Sequence, residues 1–443
     1  MKVSIVGTGY VGLVSGACLA EAGHDVCCVD RDVNKVAMIN AARPPIHERG
    51  LPELLMRNSG RRLRAATDLG AAVAASELTF IAVGTPAAEG RIDLRHVEGA
   101  AAEIGAALRR KTDYHVVVVK STVVPGTTTG LVRETLQSAS GKRAGSDFGL
   151  GMNPEFLTEG TAVADFSRPD RLVLGGIDER SRQTLAQLYA GFDPGVPRIF
   201  TNPSTAEMIK YASNAVLATL ISFSNEIARL CSAVDGVDAI EVMRGVHQSA
   251  YFTMEHAGVR RTAPIASFLE AGCGFGGSCL PKDVTALIGQ GRDNGLDLPL
   301  LRSVLDINRS QPAEILRLIR RRIPSLRDVQ VTVLGLAFKP DTDDVRESPS
   351  FPIIRVLRAE GARLTAFDPV ARPESNEDLA EVAIASSLRS AVQAADVIVL
   401  VTRWAEFSCL PELLRELKRE PLVIDGRRML DPGSFARYEG IGR

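Results

Sequence analysis

The chain begins with apolar runs that alternate with glycine-rich turns and helical patterns. Val3 to Val6 is an apolar run of strand length, and the small and apolar residues after the next glycines predict a helix to Ala22. A second apolar run extends from Asp25 to Val29. Leu78 to Val83 and Val116 to Lys120 are further strands, each followed by a turn. Strands that alternate with helices in this way predict a parallel, doubly wound sheet.

The last part of the chain repeats this pattern. Val331 to Gly335 resembles Val3 to Gly7, and Gly361 to Asp368 resembles Gly23 to Asp30. The second copy lacks the later glycines of the first turn. The pattern therefore predicts an α/β protein with two Rossmann-like, doubly wound domains, of which only the first suits a dinucleotide.

Between the two copies, the residues from about Thr205 to about Asn308 are predicted to be helical. Ala206 to Leu230 contains few helix breakers and predicts one long connecting helix, whose apolar faces are available for a subunit interface. We therefore expect three domains. They are a dinucleotide-binding domain over residues 1–204, a central helical domain over 205–310, and the second Rossmann-like domain over 311–443.

Composition narrows the class of protein. A chain of 443 residues is long enough for two or three domains, and a net charge of −1 gives no electrostatic case for binding nucleic acid. No apolar run approaches the length of a membrane span, and a strand follows the N-terminus without a signal-like segment. The seven cysteines show no zinc-binding spacing, so we expect no metal site and a reducing, cytoplasmic location. Four of them lie in apolar or helical contexts typical of buried thiols: Cys18, Cys27, Cys28 and Cys231.

The first glycine-rich turn, Gly7-Thr8-Gly9-Tyr10-Val11-Gly12, is a candidate dinucleotide site. It follows a strand, begins a helix, and is followed by Asp30 at the end of the next strand. In this context the glycines admit a pyrophosphate and the carboxylate binds a ribose diol. Asp30 would repel a 2′-phosphate, which favours NAD over NADP, and the adjacent Arg31 reads as a solvated charge. The alternative is a merely structural turn.

Cys279 is a candidate nucleophile. It follows Gly276 and Gly277 at the predicted start of a helix, and Lys282 and Asp283 come directly behind it. A helix N-terminus and a nearby cation both favour a thiolate. The alternative is a buried cysteine at a helix start.

Two further pairs of polar residues have open interpretations. Lys210 and Asn214 lie four residues apart on the predicted long helix. They are either a functional pair or a snorkelling lysine and an exposed amide. Glu155 and Glu159 lie in a loop bounded by proline and glycine. They are either acid–base groups or solvated charges.

Taken together, these motifs resemble the UDP-glucose/GDP-mannose dehydrogenase family over essentially the whole chain. The matching segments are the first glycine-rich turn, Val83–Pro86, Lys120–Val123, Asn153–Leu157, Glu207–Asn214, Phe275–Asp283, Phe338–Ser348 and Asp425–Arg428. The resemblance implies oxidation of a sugar nucleotide at C6 from alcohol to carboxylate with two NAD⁺, most simply UDP-glucose to UDP-glucuronate for polysaccharide synthesis. It also implies that Cys279 forms a thiohemiacetal and then a thioester.

The resemblance assigns roles to individual residues. The implied catalytic residues are Cys279, Lys210, Asn214, Asp283, Glu155, Thr122 and Glu159. The implied cofactor residues are Gly7, Gly9, Tyr10, Val11, Gly12, Asp30, Lys35, Thr85, Pro86, Thr122 and Arg346. The implied substrate residues are Phe156, Leu157, Lys210, Asn214, Phe268, Phe275, Gly276, Lys339 and Arg427. Within these sets, Lys210 and Asn214 would stabilise an oxyanion, and Glu155 and Asp283 would manage protons and water. The family also implies at least a homodimer through the central helix.

Some segments depart from the family pattern. Pro264 stands where many relatives have an arginine, although Arg260 and Arg261 lie slightly earlier, and His247 to Ser267 is unusually long. Asp170-Arg171 resembles the UDP-glucose branch, whereas the long segment resembles the GDP-mannose branch. GDP-mannose and dTDP-glucose therefore remain alternative substrates. A noncatalytic NAD-sensing or assembly protein is the alternative from another class.

Overall fold

The chain folds into two units, Met1–Ser213 and Asn214–Arg443. They are seen in a computed structural model that describes residues 1–88, 90–256, 258–372 and 376–443. The division into three domains stays a prediction.

The first unit is built on one eight-stranded sheet, with the strand order β10-β9-β8-β7-β4-β1-β2-β3. Its strands, together with the hairpin β5–β6, are β1 (Lys2–Val6), β2 (Asp25–Val29), β3 (Leu63–Ala66), β4 (Leu78–Ile81), β5 (Ala87–Ala88), β6 (Arg91–Ile92), β7 (Val116–Val119), β8 (Gly149–Met152), β9 (Leu172–Gly176) and β10 (Arg198–Thr201). Neighbouring strands of the sheet are parallel except β8 and β9. The predicted doubly wound sheet is therefore confirmed, with one antiparallel pair that the pattern did not indicate.

Helices cover the sheet of the first unit. They are α1 (Tyr10–Glu21), α2 (Val33–Asn40), α3 (Leu51–Asn58), α4 (Leu69–Ala74), α5 (Arg95–Leu108), α6 (Arg133–Ser140), α7 (Ala162–Ser167) and α8 (Glu179–Leu188). The four valines of β7 are all buried, as expected for a parallel strand covered on both faces. The strand order reverses between β1 and β4, so their carboxyl ends form the crevice where such folds bind ligands.

The predicted long helix is present as α9 (Pro203–Cys231) and contains 29 residues. It begins in the first unit and continues into the second. The central section is not helical throughout, however. After α10 (Ala239–His247) it forms an antiparallel hairpin of β11 (Thr253–His256) and β12 (Val259–Thr262), and only then α11 (Leu280–Asp293) and α12 (Pro299–Arg320). Val259 to Thr262 mixes β-branched and charged residues without helical periodicity, which explains the strand.

The second unit contains the predicted second Rossmann-like sheet. Its six strands are all parallel, in the order β15-β14-β13-β16-β17-β18. They are β13 (Gln330–Leu334), β14 (Arg363–Phe367), β15 (Ala383–Ile384), β16 (Val397–Leu400), β17 (Leu422–Asp425) and β18 (Tyr438–Gly440). The helices of this sheet are α13 (Ser350–Ala359), α14 (Leu388–Val392) and α15 (Leu410–Leu417). In the described part of the chain, we find no helix with the length and apolar character needed to cross a membrane.

Candidate active site

The glycine-rich turn after β1 meets the steric demands of a dinucleotide site. Gly7 has φ +97°, and a Cβ there would lie 2.6 Å from the carbonyl oxygen of Ala82. A Cβ on Gly12 would lie 1.9 Å from the Gly7 carbonyl oxygen. A Cβ on Gly9, by contrast, would meet no atom within 4 Å. Gly7 and Gly12 are therefore required for packing, whereas Gly9 faces the open space that a pyrophosphate would fill.

The carboxylate of Asp30 lies beside this turn and is held in place. Its Oδ2 accepts hydrogen bonds from the Thr8 backbone N–H (2.8 Å) and hydroxyl (2.5 Å). Partial burial raises the pKa of Asp30, but hydrogen bonds from Thr8 and Asp32 and the charge of Lys35 outweigh burial and lower that pKa overall. Asp30 is thus an ionised acceptor suited to ribose hydroxyls. Arg31 forms an exposed ion pair with Glu103, in agreement with a solvated charge.

The turns after β4 and β7 lie next to the same crevice. The Thr85 hydroxyl donates to the carbonyl oxygen of Thr122 at 2.9 Å, which joins the two turns, and Pro86 follows in the chain. Val11 lies in the first turn of α1, and the neighbouring Tyr10 hydroxyl contacts the buried carboxylate of Glu48. The Gly160 N–H donates to the Tyr10 oxygen at 2.8 Å. Tyr10 thereby connects the dinucleotide turn to the loop of Glu155 and Glu159.

Glu155 and Lys210 form a buried ion pair with 2.9 Å between Oε1 and Nζ. Their side chains are only 7% and 5% exposed, respectively. Burial raises the pKa of Glu155, but the Lys210 ammonium and the Leu157 N–H outweigh burial and lower that pKa overall. Glu155 is therefore a buried, ionised carboxylate and not a charge exposed to solvent. The half-buried Glu159 lies in the same loop.

Phe156 lies under two cations. The Arg171 guanidinium lies 3.9 Å from the centre of its ring, and the Lys210 ammonium lies 5.5 Å from it. Arg171 also donates to the Ser213 hydroxyl at 3.1 Å. The contacts join the segments Asp170-Arg171 and Asn153–Leu157 to α9.

Lys120 is a further buried functional candidate, which the sequence indicated only as part of the segment Lys120–Val123. Its Nζ donates to Asn153 Oδ1 at 2.9 Å, and that oxygen also accepts from the Tyr189 hydroxyl at 2.6 Å. Burial lowers the pKa of Lys120 to about 8, partly offset by Glu155 and reinforced by Lys210. The sequence signal for this site was a lysine at the end of an apolar strand. A charge buried there requires a buried partner.

Cys279 lies at the N-terminus of α11, as predicted. Its backbone carbonyl accepts from the Asp283 N–H at 2.8 Å, which closes the first helical turn. The side chain of Cys279 is exposed, with the Ser278 hydroxyl 3.7 Å from its sulfur. Cys18, Cys27, Cys28 and Cys231 are buried free thiols, and burial raises the pKa of Cys18 to about 12.

Asp283 connects the start of α11 to α9. Its Oδ2 accepts from Asn214 Nδ2 at 2.6 Å, and its Oδ1 pairs with Lys282 Nζ at 2.5 Å. The Asp283 side chain is 1% exposed. The Lys282 ammonium, which we expected to act on the thiol, is therefore held by Asp283 instead. Asn214 lies one helical turn beyond Lys210 on α9.

The glycines before Cys279 pack against the loop that follows β13. A Cβ on Gly276 would lie 2.1 Å from the carbonyl oxygen of Glu347. Gly277 has φ +81°, donates its N–H to the Arg346 carbonyl at 3.0 Å, and leaves no room for a Cβ beside the Phe338 ring. Phe275 is anchored through its backbone, because its N–H donates to Asn308 Oδ1 at 2.8 Å. Close backbone approach therefore explains these glycines.

The remaining predicted residues lie in the second unit. Arg427 donates through Nε to the Val401 carbonyl (2.6 Å) and through Nη1 to the Gly274 carbonyl (3.1 Å). Lys339 Nζ lies 6.0 Å from the centre of the Phe338 ring. Arg346 pairs with Asp344 at 2.6 Å, and the half-buried Phe268 ends a 3₁₀ helix. Their roles toward substrate and cofactor stay predictions. Among the described residues, no three histidine, cysteine or acidic side chains are grouped to hold a metal.

Comparisons with known proteins place the chain beside nucleotide-sugar dehydrogenases. Profiles of the UDP-glucose/GDP-mannose dehydrogenase family match residues 1–193 (NAD binding domain), 204–310 (central domain) and 332–432 (UDP binding domain). The chain is 42% identical over 445 residues to UDP-glucose 6-dehydrogenase AglM of Haloferax volcanii, with 100% of both chains covered.

Two further matches are to proteins that are named for different substrates. The chain is 40% identical over 438 residues to GDP-mannose 6-dehydrogenase of Pseudomonas savastanoi pv. phaseolicola, covering 96% of this chain and 95% of the relative. Among solved structures, a UDP-glucose dehydrogenase from the hyperthermophilic archaeon Pyrobaculum islandicum matches with a TM-score of 0.89 and 39% identity. That match covers 99% of this chain and 97% of the other.

Proposed function

The chain belongs to the UDP-glucose/GDP-mannose dehydrogenase family, and from this premise we propose that it oxidises UDP-glucose at C6 to UDP-glucuronate. The broader class, an NAD-dependent nucleotide-sugar dehydrogenase, rests on the full-length relatives and on the NAD-binding segment. The observation that carries the covalent mechanism is Cys279, which is exposed at the N-terminus of α11, one helical turn before the buried carboxylate of Asp283.

The proposed reaction consumes one primary alcohol, two NAD⁺ and one water, and yields one carboxylate, two NADH and three protons. Bound NAD⁺ supplies the hydride acceptor for each of the two oxidations. The first oxidation produces an aldehyde, to which the Cys279 sulfur adds as a thiohemiacetal. Loss of the second hydride leaves a thioester, and water then cleaves its C–S bond and returns the thiol. The covalent bond also keeps the aldehyde from escaping.

The buried charges suit the proton transfers of this scheme. Glu155 is ionised and can accept a proton from the C6 hydroxyl or from water. The Lys210 ammonium and the Asn214 amide can stabilise the oxyanion. One amide hydrogen of Asn214 is bonded to Asp283, so the other hydrogen serves the oxyanion. Thr122 would position the water, and Glu159 would extend the proton network.

UDP-glucose is favoured over GDP-mannose by two observations. The first is the match to a UDP-glucose dehydrogenase structure, which has a TM-score of 0.89 and covers 99% of this chain. Arg171, part of the segment that resembles the UDP-glucose branch, stacks on Phe156 and bonds Ser213. The nearly equal identity to a GDP-mannose enzyme makes a direct substrate test necessary.

The test measures NADH released per sugar with UDP-glucose, dTDP-glucose and GDP-mannose under single-turnover and steady-state conditions. We expect two NADH per UDP-glucose and the highest kcat/KM for that donor. A higher kcat/KM for GDP-mannose or dTDP-glucose would show that the proposed substrate is wrong but would leave the reaction class unchanged. No NADH with any donor, although NAD⁺ binds, would instead favour a noncatalytic NAD-sensing or assembly protein.

A further inference from the structure

The segment over residues 272–277, which leads to Cys279, is a buried loop. A loop without contact to water must pair its backbone N–H and C=O groups inside the protein, because each unpaired group costs free energy. Side chains of two helices and one turn supply partners for this loop. Two of these side chains are asparagines, Asn225 and Asn308, to which the proposed reaction gives no role.

Asn308 lies in the middle of α12 and binds one residue of the loop with both atoms of its amide. Its Oδ1 accepts from the Phe275 N–H at 2.8 Å, and its Nδ2 donates to the Phe275 carbonyl oxygen at 3.0 Å. Asparagine is a poor helix former, since its side chain competes for backbone groups. An asparagine inside a helix whose amide serves another segment is therefore explained by that segment and not by the helix.

Gly274 leaves the space that Asn308 occupies. It has φ +98°, and a Cβ there would lie 2.7 Å from Asn308 Oδ1. The carbonyl oxygen of Gly274 accepts from Arg427 Nη1 at 3.1 Å. The glycine and the asparagine thus fit each other closely, and the loop cannot shift without breaking the two bonds between Asn308 and Phe275.

Asn225 of α9 fixes the beginning of the same loop. It is 1% exposed, and its Oδ1 accepts from the Gly272 N–H at 2.8 Å. Between the two asparagines, the Cys273 N–H donates to the Gly426 carbonyl oxygen at 3.0 Å. The loop is therefore held from α9, from α12 and from the turn after β17.

These bonds act on the thiol of Cys279 through a short connection. Cys279 follows Phe275 by four residues, and the two glycines directly after Phe275 are packed against the loop that follows β13. A misplacement of about 1 Å at a reacting atom can lower a rate by a factor of about 10². The position of Phe275 therefore influences where the sulfur of Cys279 lies.

We propose that Asn308 is a positioning residue, which holds Phe275 through both amide atoms and thereby places the Cys279 sulfur for attack on the aldehyde. Asn225 supports the same loop at its other end. This role rests on the proposed function and deepens it, because it concerns the second oxidation and not the first. The first hydride transfer forms the aldehyde without the thiol, whereas the second requires the thiohemiacetal.

The step that depends on this placement is an addition. The sulfur of the Cys279 thiolate forms a bond to the aldehyde carbon, the electron pair of the C=O π bond moves to the oxygen, and that oxygen takes up a proton. No oxidant is consumed until NAD⁺ accepts the second hydride from the same carbon. A displaced sulfur would therefore slow the second NADH and not the first.

The test follows the two hydride transfers separately, by rapid-mixing absorbance of NADH with the full chain, NAD⁺ and UDP-glucose. Asn308→Leu keeps a side chain of similar shape and removes both bonds to Phe275. We expect the second NADH to form roughly 10²-fold more slowly than in the parent, and the first NADH to form at the parental rate. A loss of folded protein would instead lower both amounts and leave both rates unchanged.

Asn308→Asp adds a readout that depends on pH. The ionised aspartate keeps an acceptor for the Phe275 N–H but turns a second oxygen toward the Phe275 carbonyl oxygen, where two acceptors repel each other. The protonated acid can donate to that carbonyl oxygen in place of Nδ2. The rate of the second hydride transfer, relative to the parent, should therefore recover as the pH falls from about 8 to about 5.

Asn294→Asp is the matched control. Asn294 is an exposed asparagine at the end of α11, and its Nδ2 also donates to a backbone carbonyl oxygen, that of Gln290, at 2.8 Å. It lies outside the loop, so both hydride transfers should keep parental rates at each pH. Hydrogen exchange gives a measurement without substrate: the Phe275 amide should exchange roughly tenfold faster in Asn308→Leu and at the parental rate in Asn294→Asp.

The outcomes separate this role from the proposed function. If the parent forms no NADH with any nucleotide sugar, then the proposed function is wrong, and the role of Asn308 in it is wrong as well. If the parent forms two NADH and Asn308→Leu slows both transfers equally or neither, then only the role of Asn308 is wrong. Should Asn308→Leu fail to fold, Asn308→Asp decides, because a second transfer that does not recover at low pH would also overturn the role.

Discussion

Three buried ionisable side chains of the first unit, Lys120, Glu155 and Lys210, influence one another's charge. Glu155 pairs directly with Lys210, and the electrostatic influence of Glu155 reaches Lys120. A single charge in such surroundings would be very costly, and removing one partner of a buried pair typically costs about 3–5 kcal/mol. The arrangement keeps Glu155 ionised at neutral pH, which suits a proton acceptor better than a proton donor.

Replacing Lys120 with methionine tests this coupling. Lys120→Met removes a positive neighbour of Glu155, so the pKa of the carboxyl should rise and the acid limb of the kcat–pH profile should move to higher pH. The measurement is kcat between pH 5 and 9, with the exposed Lys2→Met as the control. A profile identical to that of the parent would show that Lys120 has no influence on the proton transfers.

Cys279 is the residue on which the covalent mechanism depends. Cys279→Ser replaces the thiol with a much weaker nucleophile, so steady-state NADH formation from UDP-glucose should fall by roughly 10³-fold or more. Rapid-mixing absorbance measures NADH, and mass spectrometry of the parent during turnover detects the thioester adduct.

Cys409 provides the matched control for that substitution. It is the other exposed cysteine of the chain and also precedes a helix, α15. Cys409→Ser should retain parental turnover. If Cys279→Ser still released two NADH per sugar at a normal rate, then the covalent role of Cys279 would be wrong.

At the scale of elements, Glu207 fastens the start of α9 to the segment before α6. Its carboxylate accepts from the Gly126 N–H at 2.6 Å and from the Thr128 N–H at 2.8 Å. Thr128 begins a π-helical turn that leads directly into α6. Burial nevertheless raises the pKa of Glu207 to about 7, partly offset by those hydrogen bonds.

This shift has a defined consequence for stability. The folded chain holds the Glu207 proton more tightly than the unfolded chain does. The contribution of Glu207 to the free energy of unfolding is therefore fully present below about pH 4.5 and is lost as the pH rises to about 7. The loss amounts to about 3 kcal/mol as an order of magnitude. Glu207→Gln cannot ionise, so thermal melting of this variant should depend less on pH than the parent between pH 5 and 8.

An exposed glutamate of α6, Glu134, supplies the comparison for Glu207. Glu134→Gln should melt with the pH dependence of the parent. Equal pH dependence in the parent and in Glu207→Gln would contradict the raised pKa.

At the scale of the whole molecule, α9 presents an apolar stripe. Met208, Val216, Phe223 and Leu230 recur at intervals of seven or eight residues, and each is between 44% and 62% exposed. Such spacing places side chains on one helical face. A continuous apolar face is unusual for a solvent-exposed surface, so we expect a second copy of the chain to cover it.

The oligomeric state can be tested on this stripe. Phe223→Glu places a charge in the expected interface and should shift the mass from light scattering toward that of one chain. The control is Tyr251→Glu, since Tyr251 is 93% exposed and lies outside the stripe. A mass that Phe223→Glu leaves unchanged would remove the stripe from the interface.

Elements with a strong local pattern were predicted well from sequence. The strand–glycine turn–helix of residues 3–22, the long helix α9, and the second parallel sheet are all present as expected. The hairpin β11–β12 was missed because its short strands have no periodicity long enough to outweigh the helical section around them.

Local sequence pattern was enough to predict the two doubly wound sheets, the glycine turn and the position of Cys279 before a helix. These follow from apolar periodicity and from backbone conformations near the residue concerned. The folded chain was needed to show that Lys210 pairs with Glu155 and that Lys282 pairs with Asp283. Burial and charge pairing join residues far apart in the chain, and both depend on which surfaces lose their contact with water.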